Sequence, residues 1–265
     1  MTSQAKLFMP LSLRGVTLRN RIGVSPMCTY SAEEGMPQAW HLVHLGTRAV
    51  GGAGLVFSEA VAVEPRGRIS PADTGLWSDA QADAWAPITR FLLEQGALPG
   101  VQLAHAGRKA STAPPRGEVH PLTVEEGGWQ VVAPSPLAFS AVHRLPVELD
   151  EKELMAILAA FVSATRRALR AGFRVIELHM AHGYLLHSFL SPLTNKRADR
   201  YGGDRDGRMA FPLEVAREVR KAWPEELPLF VRISTTDWLE GGWEVGDSVV
   251  FAGELKRIGV DVVDC

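Results

Sequence analysis

The sequence predicts an α/β fold: a (β/α)8 TIM barrel, here incomplete, with about six main strands. Short β-branched runs alternate with helical stretches along the chain, which means parallel strands joined by right-handed crossovers. A polar or reactive residue follows nearly every strand: Cys28 and Tyr30, Glu59, Gln102 and His105, His179 and His182, Arg232. A doubly wound sheet concentrates its site at one switch point, whereas a barrel collects contributions from every strand end onto one face. No repeat, low-complexity tract or linker divides the 265 residues, so a single domain over 1–265 is expected.

The opening stretch, residues 8–18, pairs apolar alternation with an Arg14-Gly15 turn and predicts two short strands plugging the barrel floor. Residues 21–25 form the first main strand, and 38–50 a helix with Leu42, Leu45 and Ala49 on one side. The second strand is 55–60. Ser78 then caps a helix running to about Gln95, with Ala80, Ala84, Ile88 and Phe91 at helical spacing. Residues 101–104 are the third strand. A proline- and glycine-rich excursion over 106–149 follows, and Trp129, Val131, Val132 and Phe139 mark it as an ordered flap. Asp150 opens the clearest helix, which ends at Ala171 before Gly172. A fourth strand (174–179), a helix (207–222) and a fifth strand (228–233) come next. A last helix opens at Gly246 or Asp247, and 260–265 is the sixth strand.

Composition is ordinary for a globular chain: 46% hydrophobic, 22% charged, net charge −2. No basic block exists, which argues against a nucleic-acid partner. No apolar run reaches membrane-spanning length. Met1–Lys6 lacks an apolar signal core, so a cytoplasmic protein is expected. The two cysteines, Cys28 and Cys265, lie far apart and suit a reducing compartment.

The chemistry concentrates at the end of the fourth strand, where Val175-Ile176-Glu177-Leu178 leads into His179, His182 and Tyr184. Two imidazoles and a phenol at a strand's C-terminal end can bind an oxygen, bind a metal or pass a proton. As metal ligands they would need His105 and Glu59 to complete a hydrolytic site. Against that, Cys28, Gln102 and Arg232 have no task in a hydrolase and all suit a flat heterocycle. The Gln102 amide offers both donor and acceptor to a pyrimidine edge. Arg232 supplies a fixed positive charge for an anionic reduced cofactor. After the first strand, Pro26 ends ladder bonding and frees backbone groups to face a ligand. Cys28 reads either as a reactive thiol or as apolar packing. Val50-Gly51-Gly52-Ala53-Gly54 closes a helix instead of opening one, so it is a turn and not a phosphate loop.

These residues resemble the Old Yellow Enzyme family. The resemblance rests on Ser25-Pro26-Met27-Cys28, Gln102 within 102–109, the 179–184 block, Asn195-Lys196-Arg197 with Tyr201-Gly202-Gly203, and Phe230-Val231-Arg232. It is strongest to the bacterial thermophilic-like class, which carries a cysteine where other members carry threonine. The resemblance implies a flavin barrel that takes hydride from NADPH or NADH and delivers it to activated alkenes: enals, enones, maleimides, nitroalkenes. By carry-over, Ser25, Pro26, Met27, Cys28, Ala60, Gln102 and Arg232 contact flavin mononucleotide (FMN). His179 and His182 grip the substrate oxygen, Tyr184 donates the proton, and Tyr30 and Lys109 border the substrate pocket. No metal is implied. The family is expected to act on small molecules and to assemble as a homo-oligomer at full length.

The chain departs from the family twice. The usual Tyr-Gly-Gly-Ser reads Tyr201-Gly202-Gly203-Asp204, and Asp204 is expected to cap the next helix all the same. Strands seven and eight, with the flavin phosphate site, have no counterpart here, so a C-terminally truncated chain that binds FMN poorly is expected. A metal-dependent hydrolase using His105, His179 and His182, or an inactive barrel fragment, are the alternative readings.

Overall fold

The computed structural model describes residues 5–265; Met1–Gln4, part of the stretch read for a signal core, lie outside them. The first strands are β1 (Leu11–Leu13) and β2 (Val16–Leu18), an antiparallel hairpin that turns at Arg14, whose φ is +49°. Six parallel strands follow: β3 (Gly23–Val24), β4 (Leu55–Ala62), β5 (Leu98–Ala104), β8 (Val175–Met180), β9 (Leu229–Ile233) and β10 (Val262–Asp264). Their spatial order is β10-β9-β8-β5-β4-β3, so neighbours in sequence are neighbours in space, as in a curled part of a (β/α)8 barrel.

The helices pack outside this sheet: α1 (Ala39–Val50), α2 (Asp79–Glu94), α3 (Glu151–Arg170), α5 (Arg205–Ala222) and α6 (Val245–Ile258). Asp150 caps α3 by accepting from the Glu153 N–H at 2.7 Å. Gly172 takes φ +89° just past the helix end, where a side chain would be strained. Asp204 caps α5, accepting from the Gly207 N–H at 2.9 Å, so the departure from the family pattern keeps its structural role.

Two helix faces differ from the sequence expectation. On α1, Leu42 is exposed and His41 points inward with Leu45 and Ala49. On α2, Ala80 is exposed and the buried face is Gln81, Ala82, Trp85, Ile88 and Leu92. Alanine fits either side of a helix, whereas the bulk of Trp85, fully buried against Phe173, fixes the rotation. The helix α6 starts at Val245, its N-cap being Glu244. In β10, Val260 precedes the strand and is buried, while Val262 and Val263 are half-buried.

The hairpin sits where the strands begin. Leu18 packs with Leu55 and Phe57 of β4, Val175 of β8 and Phe230 of β9, near the starts of these three strands, and Leu11 and Leu13 close over them. The excursion is ordered. Its strands β6 (Val132–Ala133) and β7 (Val147–Glu148) pair, and Trp129 donates to the Arg66 carbonyl at 2.9 Å. Arg197 belongs to this scaffold: it donates to the carbonyls of Pro134 and Leu149, tying together the residues that follow β6 and β7, and its own N–H donates to the Asn195 side-chain carbonyl at 3.1 Å. Sequence reasoning did not find the short helix α4 (Leu185–Leu190), which follows the 179–184 block. No helix among the described residues is long and apolar enough to cross a membrane.

Candidate active site

Strand alternation builds the site in layers. Val175, Glu177 and His179 share one face of β8. Val175 lies at the floor, Glu177 is level with Gln102 of β5, and His179 is level with Arg232 of β9. Ala60 of β4 pairs in register with Gln102. The C-terminal strand ends therefore present Ala60, Gln102, Glu177, His179 and Arg232 side by side.

Above them His179, His182 and Tyr184 form an edge-to-face cluster. The His179 ring centroid lies 4.9 Å from that of His182 and 4.8 Å from that of Tyr184. His179 is buried, and burial, then the charges of His182 and Arg232, hold its imidazole well below the usual range. His182, at φ +61°, is lowered too, by burial and by Arg232. Both rings are thus neutral near pH 7. Burial also pushes the Tyr184 phenol up, keeping its proton on.

Lys109 reaches this cluster from the loop after β5. Its Nζ donates to the His182 carbonyl at 3.0 Å and lies over the rings of Phe139 and Tyr184. A cavity of about 200 Å³ is lined by Tyr30, Lys109, His143 and Tyr184. A second, about 430 Å³, is lined by Lys109, Phe139, His182, Ser234 and Asp237. Lys109 borders both cavities, with Tyr30 and Tyr184 on the first and His182 on the second. A third cavity, about 270 Å³, runs along the sheet face past Ser25, Pro26, Glu177 and Asp264. A cavity of about 600 Å³ between Arg14, Arg220 and Gly259 lies away from these strand ends. Its two arginines are engaged by backbone carbonyls and Asp261.

Cys28 and Tyr30 descend from the end of β3. Burial, then Asp73 and Glu59, raises the Cys28 thiol, so it is protonated and not a thiolate nucleophile. Tyr30, at φ +51°, is pushed up to about 12 by burial and by Cys28. Met27 is half exposed and Ser25 is exposed.

The donor set fits a flavin ring. Gln102 Nε2 donates to Glu177 at 2.7 Å, and among the described residues no protein donor meets its carbonyl oxygen. Arg232 is partly exposed and paired with Asp264 at 3.2 Å. Ala60, Ala62, Ala104 and Ala106 keep the adjoining wall low. An amide, a guanidinium and a shallow wall are what the polar edge and face of a flat heterocycle require.

The metal reading fails on geometry. His105 turns away: its Nε2 meets Glu64 at 2.9 Å and its Nδ1 accepts from the Gly107 N–H at 3.0 Å. Glu59 is likewise engaged, by Thr29 and His41. His105, His179 and His182 therefore do not converge.

Three groups that sequence reasoning missed support the site. Burial raises the Glu177 carboxyl to about 7. Burial raises Asp73 to about 7 as well; it borders a small space shared with Ala60 and Tyr184. His187 accepts the Gly183 N–H at 2.7 Å and lies 3.1 Å from Asp237, off line for a hydrogen bond, which steadies the loop between His182 and Tyr184. A glutamate inside an apolar strand was the only signal for Glu177.

Fold and strand-end chemistry together define a barrel-type redox enzyme. A sequence profile of the NADH:flavin oxidoreductase / NADH oxidase family matches residues 6–265. The NADPH dehydrogenase of Bacillus subtilis is 43% identical over 262 residues, covering 98% of this chain and 72% of that protein. The NADPH dehydrogenase of Bacillus licheniformis is 44% identical over 264 residues, covering 99% and 73%. Morphinone reductase superposes with a TM-score of 0.85 at 30% identity, covering 99% of this chain and 72% of that one. The old yellow enzyme homologue from Zymomonas mobilis superposes at 0.84 with 28% identity, covering 98% and 72%. The chain belongs to the NADH:flavin oxidoreductase / NADH oxidase family, that of Old Yellow Enzyme. It is an FMN-dependent oxidoreductase whose reductant is NADPH or NADH.

Proposed function

We propose that the protein is an ene-reductase, reducing the C=C bond of activated alkenes: enals, enones, maleimides and nitroalkenes. The observation that carries this reading is the His179–His182–Tyr184 cluster, two neutral imidazoles and a protonated phenol with ring centroids 4.8 and 4.9 Å from His179. Ser25, Pro26, Met27, Cys28, Ala60, Gln102 and Arg232 would hold FMN, with the Cys28 thiol near its reactive edge. FMN, when bound, supplies a hydride taken from NADPH or NADH. A relative of known structure, morphinone reductase, has been seen with tetrahydroNAD, which supports a nicotinamide donor in the same cleft.

His179 and His182 donate to the carbonyl or nitro oxygen of the alkene. That draws charge from the β-carbon and holds the negative charge that develops on the oxygen. The Tyr184 hydroxyl gives its proton to the α-carbon. Its raised affinity for the proton suits an acid that releases it only to a strongly basic carbon. Tyr30 and Lys109 line the pocket wall, where the Lys109 ammonium is anchored on the His182 carbonyl. The test is substrate competence: steady-state NADPH oxidation by the FMN-loaded enzyme with cyclohexenone and with N-methylmaleimide. Alkene-dependent turnover with formation of the saturated product supports the reading; NADPH oxidation that is independent of every alkene rejects it.

A further inference from the structure

Glu59 lies at a break in the ladder, where the register between β4 and β5 shifts between Phe57 and Ala60. Its carboxylate is buried, yet three donors reach it. Oε2 accepts from the Thr29 N–H at 2.5 Å and from the Thr29 hydroxyl at 2.9 Å. Oε1 lies 3.1 Å from Nε2 of the buried His41. Nδ1 of His41 accepts from the Gln38 N–H at 2.9 Å, so the proton of this ring is on Nε2 and faces Glu59. Thr29 stands between Cys28 and Tyr30, and Tyr30 has a left-handed backbone that needs outside support.

We propose that Glu59 is a positioning residue: oriented by His41, its carboxylate pins the Thr29 amide and so sets the Cys28 thiol and the Tyr30 phenol in the cleft. The proposal rests on the reading of Cys28 and Tyr30 as site residues, but its geometry does not depend on the substrate. Glu59 also places a negative charge next to the Cys28 thiol. The other groups facing that thiol are Asp73, from the loop after β4, the neighbouring Tyr30, and Tyr184 from the loop after β8. His41 and His44 of α1 face Glu59 itself. The carboxylate is held below its ordinary range by hydrogen bonds from His41 and Thr29, which outweigh the opposing effect of burial, so it is ionised at neutral pH.

The experiment is Glu59→Gln, read by peptide-resolved alkylation with iodoacetamide from pH 6 to 11. Glutamine keeps the shape but loses the charge, and its single carbonyl cannot satisfy both Thr29 and His41. The Cys28 profile is expected to move to lower pH by about one unit or more. The exposed Cys265 should keep its profile, and Glu59→Asp, which retains the charge but shortens the reach to Thr29, should move the Cys28 profile less than Glu59→Gln does. An unmoved Cys28 profile in Glu59→Gln overturns the proposal, and so does an equal shift at Cys265. If Glu59→Gln does not fold, Thr29→Val carries the question through hydrogen exchange. Loss of one arm should speed exchange of the amide at position 29 about tenfold; exchange at the original rate overturns the proposal. Neither readout uses turnover, so an alkene assignment that failed would leave this result standing.

Discussion

His179 and His182 are hydrogen-bonded to each other. Nδ1 of His179 accepts from the Ala181 N–H at 3.2 Å, which leaves the proton of this neutral ring on Nε2, 3.2 Å from Nδ1 of His182. His182 in turn keeps its proton on Nε2. The pair therefore offers one free N–H, and a ligand oxygen that takes both must draw the His179 proton away from His182. The two donors are coupled. His179→Ala and His182→Ala should each weaken phenol binding about 10- to 100-fold, and the double variant should lose less than the product of the two. Calorimetric titration with a phenol measures all three; unchanged affinity in both single variants removes the oxygen-clamp role.

Tyr184→Phe deletes the acid and keeps the ring that packs on His179 and under Lys109. Reoxidation by an alkene should slow about a hundredfold or more, and reduction by NADPH should stay within a factor of a few. Stopped-flow traces of the two half-reactions separate these. Equal slowing of both would mean that Tyr184 shapes the pocket without donating the proton.

Cys28→Ala should shift the flavin reduction potential while leaving the melting temperature nearly unchanged. The thiol is protonated and half-buried beside the Ala60 backbone, so its loss removes a polar neighbour more than a packing contact. Spectroelectrochemical titration beside a thermal melt is the check; an unaltered potential would reduce Cys28 to filler.

Glu177 links the site to pH. Its carboxyl titrates at about 7 in the fold against 4.5 ordinarily, so the folded chain holds this proton more tightly than the unfolded chain does. Its contribution to stability is complete below about pH 4.5 and is lost as pH rises through 7, a change of about 3 kcal/mol. Glu177→Gln stays neutral and can still accept from Gln102. It should raise the melting temperature by several degrees at pH 8 and by little at pH 5. Melts at the two pH values in the cofactor-free protein decide; an equal effect at both would contradict a neutral Glu177.

The barrel order, the floor hairpin and most helices were legible because apolar period and capping residues are local signals: Ser78, Asp150 and Asp204 all cap where the sequence places them. Helix rotation was less legible where alanine supplied the pattern, as at Ala80. The block 179–184 announced itself by residue type. What could not be read was pairing across long separations. Glu177 meets Gln102, His187 stands beside Asp237, and His41 orients Glu59, each from a different strand or helix. The same blindness made His105 look like a companion of His179, when Glu64 and Gly107 occupy both of its ring nitrogens.

The most direct test of the central claim follows the flavin through one cycle without oxygen. The FMN-loaded enzyme is bleached with one equivalent of NADPH and then mixed with cyclohexenone. The account predicts that the yellow absorbance returns at a rate that rises with cyclohexenone, and that cyclohexanone forms in equal amount. A bleached enzyme that recovers its colour only with oxygen, whichever enone, maleimide or nitroalkene is added, would contradict it.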